Sequence, residues 1–327
     1  MASYTRTCLS RIPPLYRCSS LSSSILLSPS LTPPFSAIRG FNVSASISTQ
    51  DSSQSANPHS LIKTTRPFWK PMCLYYTQGK CTLMNDPSHL EKFNHNYSLP
   101  PEENISKSEN VHSQHVDFFL VLDLEGKVEI LEFPVIMIDA KTMQVVDGFH
   151  RFVRPSKMSE QRINGYIAGK YGKFGVDRVW HDTAMPFNEV IQEFEDWISS
   201  HNLWQKELGG PLNSAAFVTC GNWDVKTKIP EQCQVCRMKI PPYFMEWINV
   251  KDIYLNFYNS PATGMKTMLN QLRIPQLGSH HLGIDDAKNI ARVVQRMLAD
   301  GALLQITARR SPANFGSVEF LFKNRIR

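Results

Sequence analysis

A chain of 327 residues with 42 % hydrophobic side chains can bury one large core or two modest ones. No apolar run reaches the roughly 18 residues that a membrane span requires, so a membrane partner is excluded from the reading. The formal charge of +6 comes from 35 basic and 29 acidic residues. Arg6, Arg11, Arg17 and Arg39 are the only charges before Asp51, which leaves 31 basic against 29 acidic residues, or +2, in the remainder. Bulk charge therefore argues weakly for a nucleic-acid partner, and any such claim must rest on a site.

The acid-free, Ser-rich segment 1–50 has the composition of an organellar transit peptide. Pro13, Pro14, Pro29, Pro33 and Pro34 interrupt the amphipathic helix that a mitochondrial peptide favours. The expected destination is the chloroplast stroma, with the mitochondrion as the alternative and a plain Ser-rich tail as the third reading. Cys8 and Cys18 lie in this segment; the five remaining cysteines are odd in number and unevenly spaced, which fits a reducing compartment. Residues 51–67 read as a polar linker.

A small unit follows over 68–98. Its Cys73, Cys81, His89 and His95 have the ligand types of a zinc site. The stretch Asn85-Asp86-Pro87-Ser88-His89 resembles small Cys2His2 modules such as the poly(ADP-ribose)-binding fingers. The competing reading is a metal-free segment packed by Trp69, Tyr75 and Tyr76. Cys233 and Cys236 lack a second ligand pair nearby. Residues 99–114 are again linker-like.

A larger domain is expected over 115–310. Apolar runs predict strands over 118–124, 130–138 and 145–153, close enough for an antiparallel meander. Phe187, Val190, Ile191, Phe194, Trp197 and Ile198 mark a helix by their spacing. Residues 215–219 form a fourth strand, and helices are expected near 250–258 and 265–272. A last helix carries Ile290, Val293, Val294, Met297 and Leu298 and stops at Gly301. Residues 303–307 would close the sheet, and 311–327 form a basic extension. Three strands followed by alternating helix and strand is an α/β pattern.

Within this domain, Asp123 and Glu125 sit two apart at the end of a strand, hence on one face. Carboxylates there are costly unless a cation accompanies them, although a solvated strand-end turn would carry the same pair. Asp224 follows the fourth strand beside Gly221, either as a further ligand or as a helix cap. Asp285 is placed to cap the last helix, and Asp286, four before Ile290, faces inward. His281 lies in the preceding loop, five residues before Asp286, with His280 expected to point away or to pack against the loop. The aromatic group Trp223, Tyr243, Phe244, Trp247, Tyr254, Phe257 and Tyr258 reads mostly as core, with base stacking as the alternative. Arg309, Arg310, Lys323, Arg325 and Arg327 form a basic end suited either to phosphates or to solvent.

Asp-x-Glu, a later Asp after a strand, and His-x4-Asp at a helix start together resemble the DEDDh 3′–5′ exonucleases. More narrowly, the chain is similar to the Eri-type subfamily and its plant organellar relatives over about 115–310. The segments 130–134, 152–155, 219–224 and 283–291 carry the likeness. The resemblance implies an RNase H-like mixed sheet flanked by helices, two Mg²⁺ or Mn²⁺ ions, and release of nucleoside 5′-monophosphates. It assigns Asp123, Glu125, Asp224 and Asp286 to the metals and His281 to proton removal from the attacking water. It also implies RNA with a 3′ overhang as partner, ribosomal RNA in a chloroplast. A DNA exonuclease of the same fold and a catalytically silent RNA-binding protein are the rival readings. One departure is the abrupt passage from Glu125-Gly126-Lys127 into the second strand, where such enzymes carry a longer loop.

Overall fold

The computed structural model describes residues 69–99, 112–311, 314 and 316–326. The transit-peptide reading of 1–50 and the linker reading of 51–67 fall outside the described residues, as does most of 99–114.

The first described segment contains two short helices, α1 (Leu74–Thr77) and α2 (Pro87–Lys92). Then come strands β1 (Phe118–Leu122), β2 (Glu132–Asp139) and β3 (Val145–Arg154), which form the expected meander. Helices α3 (Glu160–Tyr171) and α4 (Asp177–Thr183) lead to a two-residue strand β4 (Met185–Pro186) and the long helix α5 (Phe187–Ser200). Strand β5 (Ala215–Thr219) is followed by a π-helical turn, Asp224–Lys228, and α6 (Ile229–Val235). Strand β6 (Glu246–Asn249) leads directly into α7 (Val250–Tyr258), and α8 (Met265–Gln271) precedes α9 (Gly283–Ala299). Strands β7 (Ala308–Arg310) and β8 (Val318–Phe320) end the described chain.

One mixed sheet runs β4-β3-β2-β1-β5-β6-β7-β8. Strand β1 lies between antiparallel β2 and parallel β5, with Leu120 opposite Met137 on one side and Phe217 on the other. Its unbroken Phe-Phe-Leu-Val-Leu sequence suits a strand covered on both faces. Alternation divides it: Phe119 and Val121 pack under Ile290, Val293, Val294 and Met297 of α9, whereas Leu120 and Leu122 face Val190, Ile191, Phe194 and Ile198 of α5. Each such aliphatic or aromatic side chain contributes roughly 1.5–3 kcal/mol when fully buried. This sandwiched β1 delivers the residues that follow it to a rigid edge.

Several elements differ from the sequence-based expectation. The sheet closes at Ala308–Arg310 rather than over 303–307, and β8 comes from the stretch read as a basic extension. The basic end mostly serves the fold: Arg309 Nε pairs with Glu246 at 3.1 Å, and buried Arg310 donates to the Val225 and Lys226 carbonyls. Tyr243, Phe244, Trp247 and Tyr254 are core, but Trp223 and Phe257 are exposed. Helix α3 was not expected, because Gly165 and Gly169 and a weakly apolar face hide its Ile163, Ile167 and Tyr171 stripe.

Candidate metal centre

Beyond Leu122 the chain leaves the regular strand, and Asp123 and Glu125 follow in an extended turn rather than within β1. Gly126 makes the short connection to β2 feasible. Its φ is +126°, and a Cβ there would sit 2.1 Å from the Glu129 carbonyl oxygen. The loop is tied at its other points too. Ser156 and Lys157 donate backbone N–H groups to Glu129, and Lys228 Nζ donates to the carbonyls of Lys127 and Val128 at 3.0 and 3.3 Å.

Helix α9 brings the distant partner. Carboxylate oxygens of Asp123, Glu125 and Asp286 lie within 4.8 Å of one another. Asp224 stands beside them at the start of the π-helical turn, where it accepts from Leu124 N at 2.8 Å. Burial, reinforced by Asp224, Asp286, Glu125 and Glu132, holds the Asp123 carboxyl well above the aspartate range. Burial likewise pushes Glu125 up to about 7, against the pull of Lys170, and Asp224 up to about 6, against the Leu124 N–H. Asp286 is raised by burial despite the His281 N–H and the His280 ring. Lys170 Nζ supplies one positive charge, 2.7 Å from Glu125 Oε2. A buried oxygen set with so little compensating charge fits divalent cations of the hard, carboxylate-seeking class.

The two histidines stack on each other, with ring centroids 3.8 Å apart. His281 adopts a left-handed backbone (φ 71°), which aims its N–H at Asp286 Oδ2, 2.7 Å away. Its side chain is 61 % exposed, and Nδ1 lies 3.9 Å from Glu125 Oε1. Burial and then the His280 ring lower its pKa below the ordinary histidine value. His280 neither points away nor packs only against the loop: its Nδ1 lies 3.0 Å from Asp286 Oδ2. Asp285 does not act as the helix cap either. Leu282 occupies that position, and Asp285, in the first turn, accepts from Ser279 N at 2.7 Å and steadies the histidine loop. Gly278 is required opposite it, since a Cβ there would meet Asp285 Oδ2 at 2.2 Å.

Sequence patterning gives no individual role to Glu132, which lies in the 130–134 segment of the family likeness, or to His150 and Lys170. Glu132 is fully buried, and His150 Nε2 lies 3.0 Å from its Oε1. Ile284 N in the first turn of α9 donates to Oε1, and the Tyr171 hydroxyl donates to Oε2. Burial opposes ionisation of Glu132, but His150 and the Gly283 and Ile284 N–H groups outweigh it and hold the carboxyl low. Glu132 therefore clamps the start of α9 and the end of α3 to β2. The available signal was an acid inside an apolar run, which is a costly choice in a strand covered on both sides.

A second cluster is assembled in the 68–98 unit. Ligand atoms of Cys73, Cys81, His89 and His95 all lie within 4.8 Å of one another. Cys233 and Cys236 gather no such set among the described residues.

A model of the RNase T family, described as exonuclease, matches residues 119–294. An uncharacterized exonuclease domain-containing protein of Arabidopsis thaliana is 66 % identical over 259 residues, covering 79 % of this chain and 77 % of that protein. Human 3′-5′ exoribonuclease 1 is 32 % identical over 224 residues, 65 % of this chain and 61 % of the human protein. Among solved structures, the nuclease domain of 3′hExo, a DEDDh family member bound to rAMP, gives a TM-score of 0.50 at 32 % identity, covering 59 % of this chain and 96 % of that domain. A 3′-exonuclease recognising the 3′ end of a histone mRNA stem-loop gives 0.54 at 29 % identity, covering 64 % and 92 %. The chain thus spans less than two thirds of the human enzyme's length.

Proposed function

The chain belongs to the RNase T exonuclease family, and from that premise we propose that it is a metal-dependent 3′→5′ exoribonuclease. Its substrate in this reading is structured RNA with a short 3′ overhang, and its role is 3′-end maturation of ribosomal RNA in the chloroplast. The activity rests above all on one observation: Asp123, Glu125 and Asp286, from segments more than 150 residues apart, converge within 4.8 Å beside Asp224 and His281. The RNA preference is supported by the exoribonuclease relatives, and the compartment by the composition of residues 1–50.

Asp123, Glu125, Asp224 and Asp286 would hold two Mg²⁺ or Mn²⁺ ions. Such ions supply the positive charge that eases deprotonation of a water and stabilises the leaving oxyanion of the phosphodiester. Asp123 is central, since it neighbours each of the other acids electrostatically. His281 is the proton acceptor. It sits on the open rim, its loop is anchored through its own N–H to Asp286, and its lowered pKa keeps the imidazole neutral near pH 7. Lys170 fixes Glu125 and also donates to the His281 carbonyl at 3.2 Å, so it ties the acid to the base loop.

Incubation of the full chain with 3′-overhang RNA and the matched DNA, in Mg²⁺ or EDTA, tests this reading. Stepwise loss of RNA 3′ nucleotides as 5′-monophosphates in Mg²⁺ alone is expected. Faster degradation of the DNA would move the protein to the rival substrate class. Tight RNA binding without cleavage would make it a silent binder. Residues 1–60 fused to a fluorescent protein should enter chloroplasts; signal confined to mitochondria or cytosol would overturn the compartment.

A further inference from the structure

The Cys/His cluster is local in sequence and geometrically tight. Cys73 is the N-cap of α1, its Sγ accepting from Tyr76 N at 3.4 Å. Asp86 caps α2 through His89 N and so places His89 in the first turn. Tyr76 stacks on the His95 ring at 4.8 Å, and Phe93 lies 5.0 Å from the His89 ring, which limits how either imidazole can turn. Cys81 Sγ is 3.6 Å from His89 Nε2 and 3.7 Å from His95 Nε2, and the two Nε2 atoms are 3.0 Å apart. A tetrahedron with bonds of about 2.3 Å to sulfur and about 2.0–2.1 Å to nitrogen has S···N edges of about 3.6 Å and N···N edges of about 3.3 Å. One N–H···N hydrogen bond would account for the imidazole pair but not for a thiol equidistant from both.

The same unit lacks a core that would hold it without a staple. Residues 79–93 are exposed or half-buried throughout, α2 buries no residue, and Leu83, Met84, Leu90 and Phe93 are exposed. Segments this small usually need a metal or disulfide to stay folded. Its two ends are embedded, Met72 and Leu74 joining the core and Tyr97 packing against it, whereas the stretch between them that carries Cys81 and His89 is not.

The end with Met72 and Leu74 leads toward the carboxylates. Thr77 Oγ1 lies 2.7 Å from His150 Nδ1, and Gln78 Nε2 lies 3.1 Å from the same atom. Gln78 also donates to the His150 carbonyl and accepts from Phe152 N, so α1 is stitched along β3. The far nitrogen of His150 faces Glu132, and Glu132 holds the first turn of α9, two residues before Asp286.

We propose that Cys73, Cys81, His89 and His95 bind one Zn²⁺ as a closed four-ligand site, and that this ion holds α1 where Thr77 and Gln78 orient His150 against Glu132. The ligands are thus positioning residues for α9. A closed site of two thiolates and two imidazoles suits zinc rather than Mg²⁺, which takes oxygen. The positioning half of the proposal rests on the nuclease reading above; the metal half does not.

The test uses the full chain. Elemental analysis after dialysis should find one zinc per chain, and Co²⁺ exchange should give the strong visible and thiolate charge-transfer absorption of a tetrahedral site. Cys81→Ser should lose both, and His89→Cys, a conservative ligand swap, should keep both. A purified chain that carries no zinc and takes up no tetrahedral Co²⁺ would overturn the site, as would retention of both signals by Cys81→Ser. Thr77→Val should keep the zinc yet lose about 10-fold in kcat with KM for RNA unchanged, the lower range for groups that orient a metal site's ligands. Parental kcat in Thr77→Val would refute the positioning role even if Cys81→Ser fails to fold. An inactive parent that still binds one zinc would count against the nuclease reading and leave the site standing.

Discussion

The molecule carries two clusters of ligand-type side chains, and they are built in opposite ways. The oxygen set draws on residues 123–125, 224 and 286 and is assembled by the central strand, the turn after β5 and the start of α9. The sulfur and nitrogen set comes from 23 consecutive residues, 73–95, with little packing of their own. In the first, a rigid core buries several carboxylates beside one another, so the fold bears a cost, chiefly of desolvation, and holds it as raised carboxylate pKa values. In the second, the ligands themselves would supply the missing cohesion. The first should therefore be dispensable for folding and essential for chemistry, and the second essential for the fold of its own unit and felt by the chemistry only through the position of α9.

The largest expected effect is on the oxygen set. Asp123→Ala should remove nearly all RNA trimming, because Asp123 neighbours every other acid of the site. It should leave the circular dichroism and the zinc content near those of the parent. Substantial Mg²⁺-dependent trimming by this variant would break the contrast at its base.

Next comes the histidine pair. His281→Ala should lose about 10²–10⁴-fold in turnover, the range for a general base. His280→Ala should stay within several-fold in turnover, since its contact is with the Asp286 carboxylate rather than the open rim. Comparable losses in the two variants, or a greater loss in His280→Ala, would transfer the role to His280.

Lys170→Ala should act on the metal requirement instead. It removes the 2.7 Å charge contact that draws the Glu125 carboxyl down. Half-maximal activity should then need about 10-fold more Mg²⁺, the lower range for groups that orient a metal ligand. An unaltered Mg²⁺ titration would show that Lys170 serves only the packing of α3.

The smallest effect is thermodynamic. Buried acids with raised folded-state pKa values favour the folded protein below about pH 4, where both states are protonated. That contribution is lost as pH rises through the folded values of about 6 for Asp224 and about 7 for Glu125. Mg²⁺ binds the ionised carboxylates and offsets the loss. The rise in melting temperature on adding Mg²⁺ should therefore be greater at pH 8 than at pH 5. Equal shifts at the two pH values would mean that the carboxylates are not the binding groups.

Much of the site was legible along the chain, from acids beside apolar runs and from the likeness of their order to the DEDDh exonucleases. Asp123, Glu125, Asp224, His281 and Asp286 stand at strand ends and a helix start, where acids beside apolar runs are conspicuous, and the structure gathers them at one end of the sheet. The inward face of Asp286 follows from helical spacing to Ile290, and the meander follows from three apolar runs. The Cys/His unit showed zinc-ligand types in a short span that a metal-free packed segment would carry as well, and nothing in it spoke of a connection to the carboxylates.

Other parts depended on partners remote in sequence. Whether His280 or His281 faces Asp286 is decided by a left-handed turn at His281 and by the Ser279–Asp285 hydrogen bond, and neither side-chain type nor periodicity encodes that. Lys170 is an ordinary helical lysine until α3 lays it against Glu125, 45 residues earlier. Glu132 and His150 are isolated polar residues in buried strands until α1, α3 and α9 close around them. Strands β6, β7 and β8 are three or four residues long, too short for alternation to register; β6 pairs with the open edge of β5, and β7 and β8 add to it in turn. The sequence by itself determined the apolar runs that build the core and which residues of ligand type lie near one another along the chain. The tertiary structure alone decided which charges meet, because the free energy of a buried carboxylate depends on its neighbours in space.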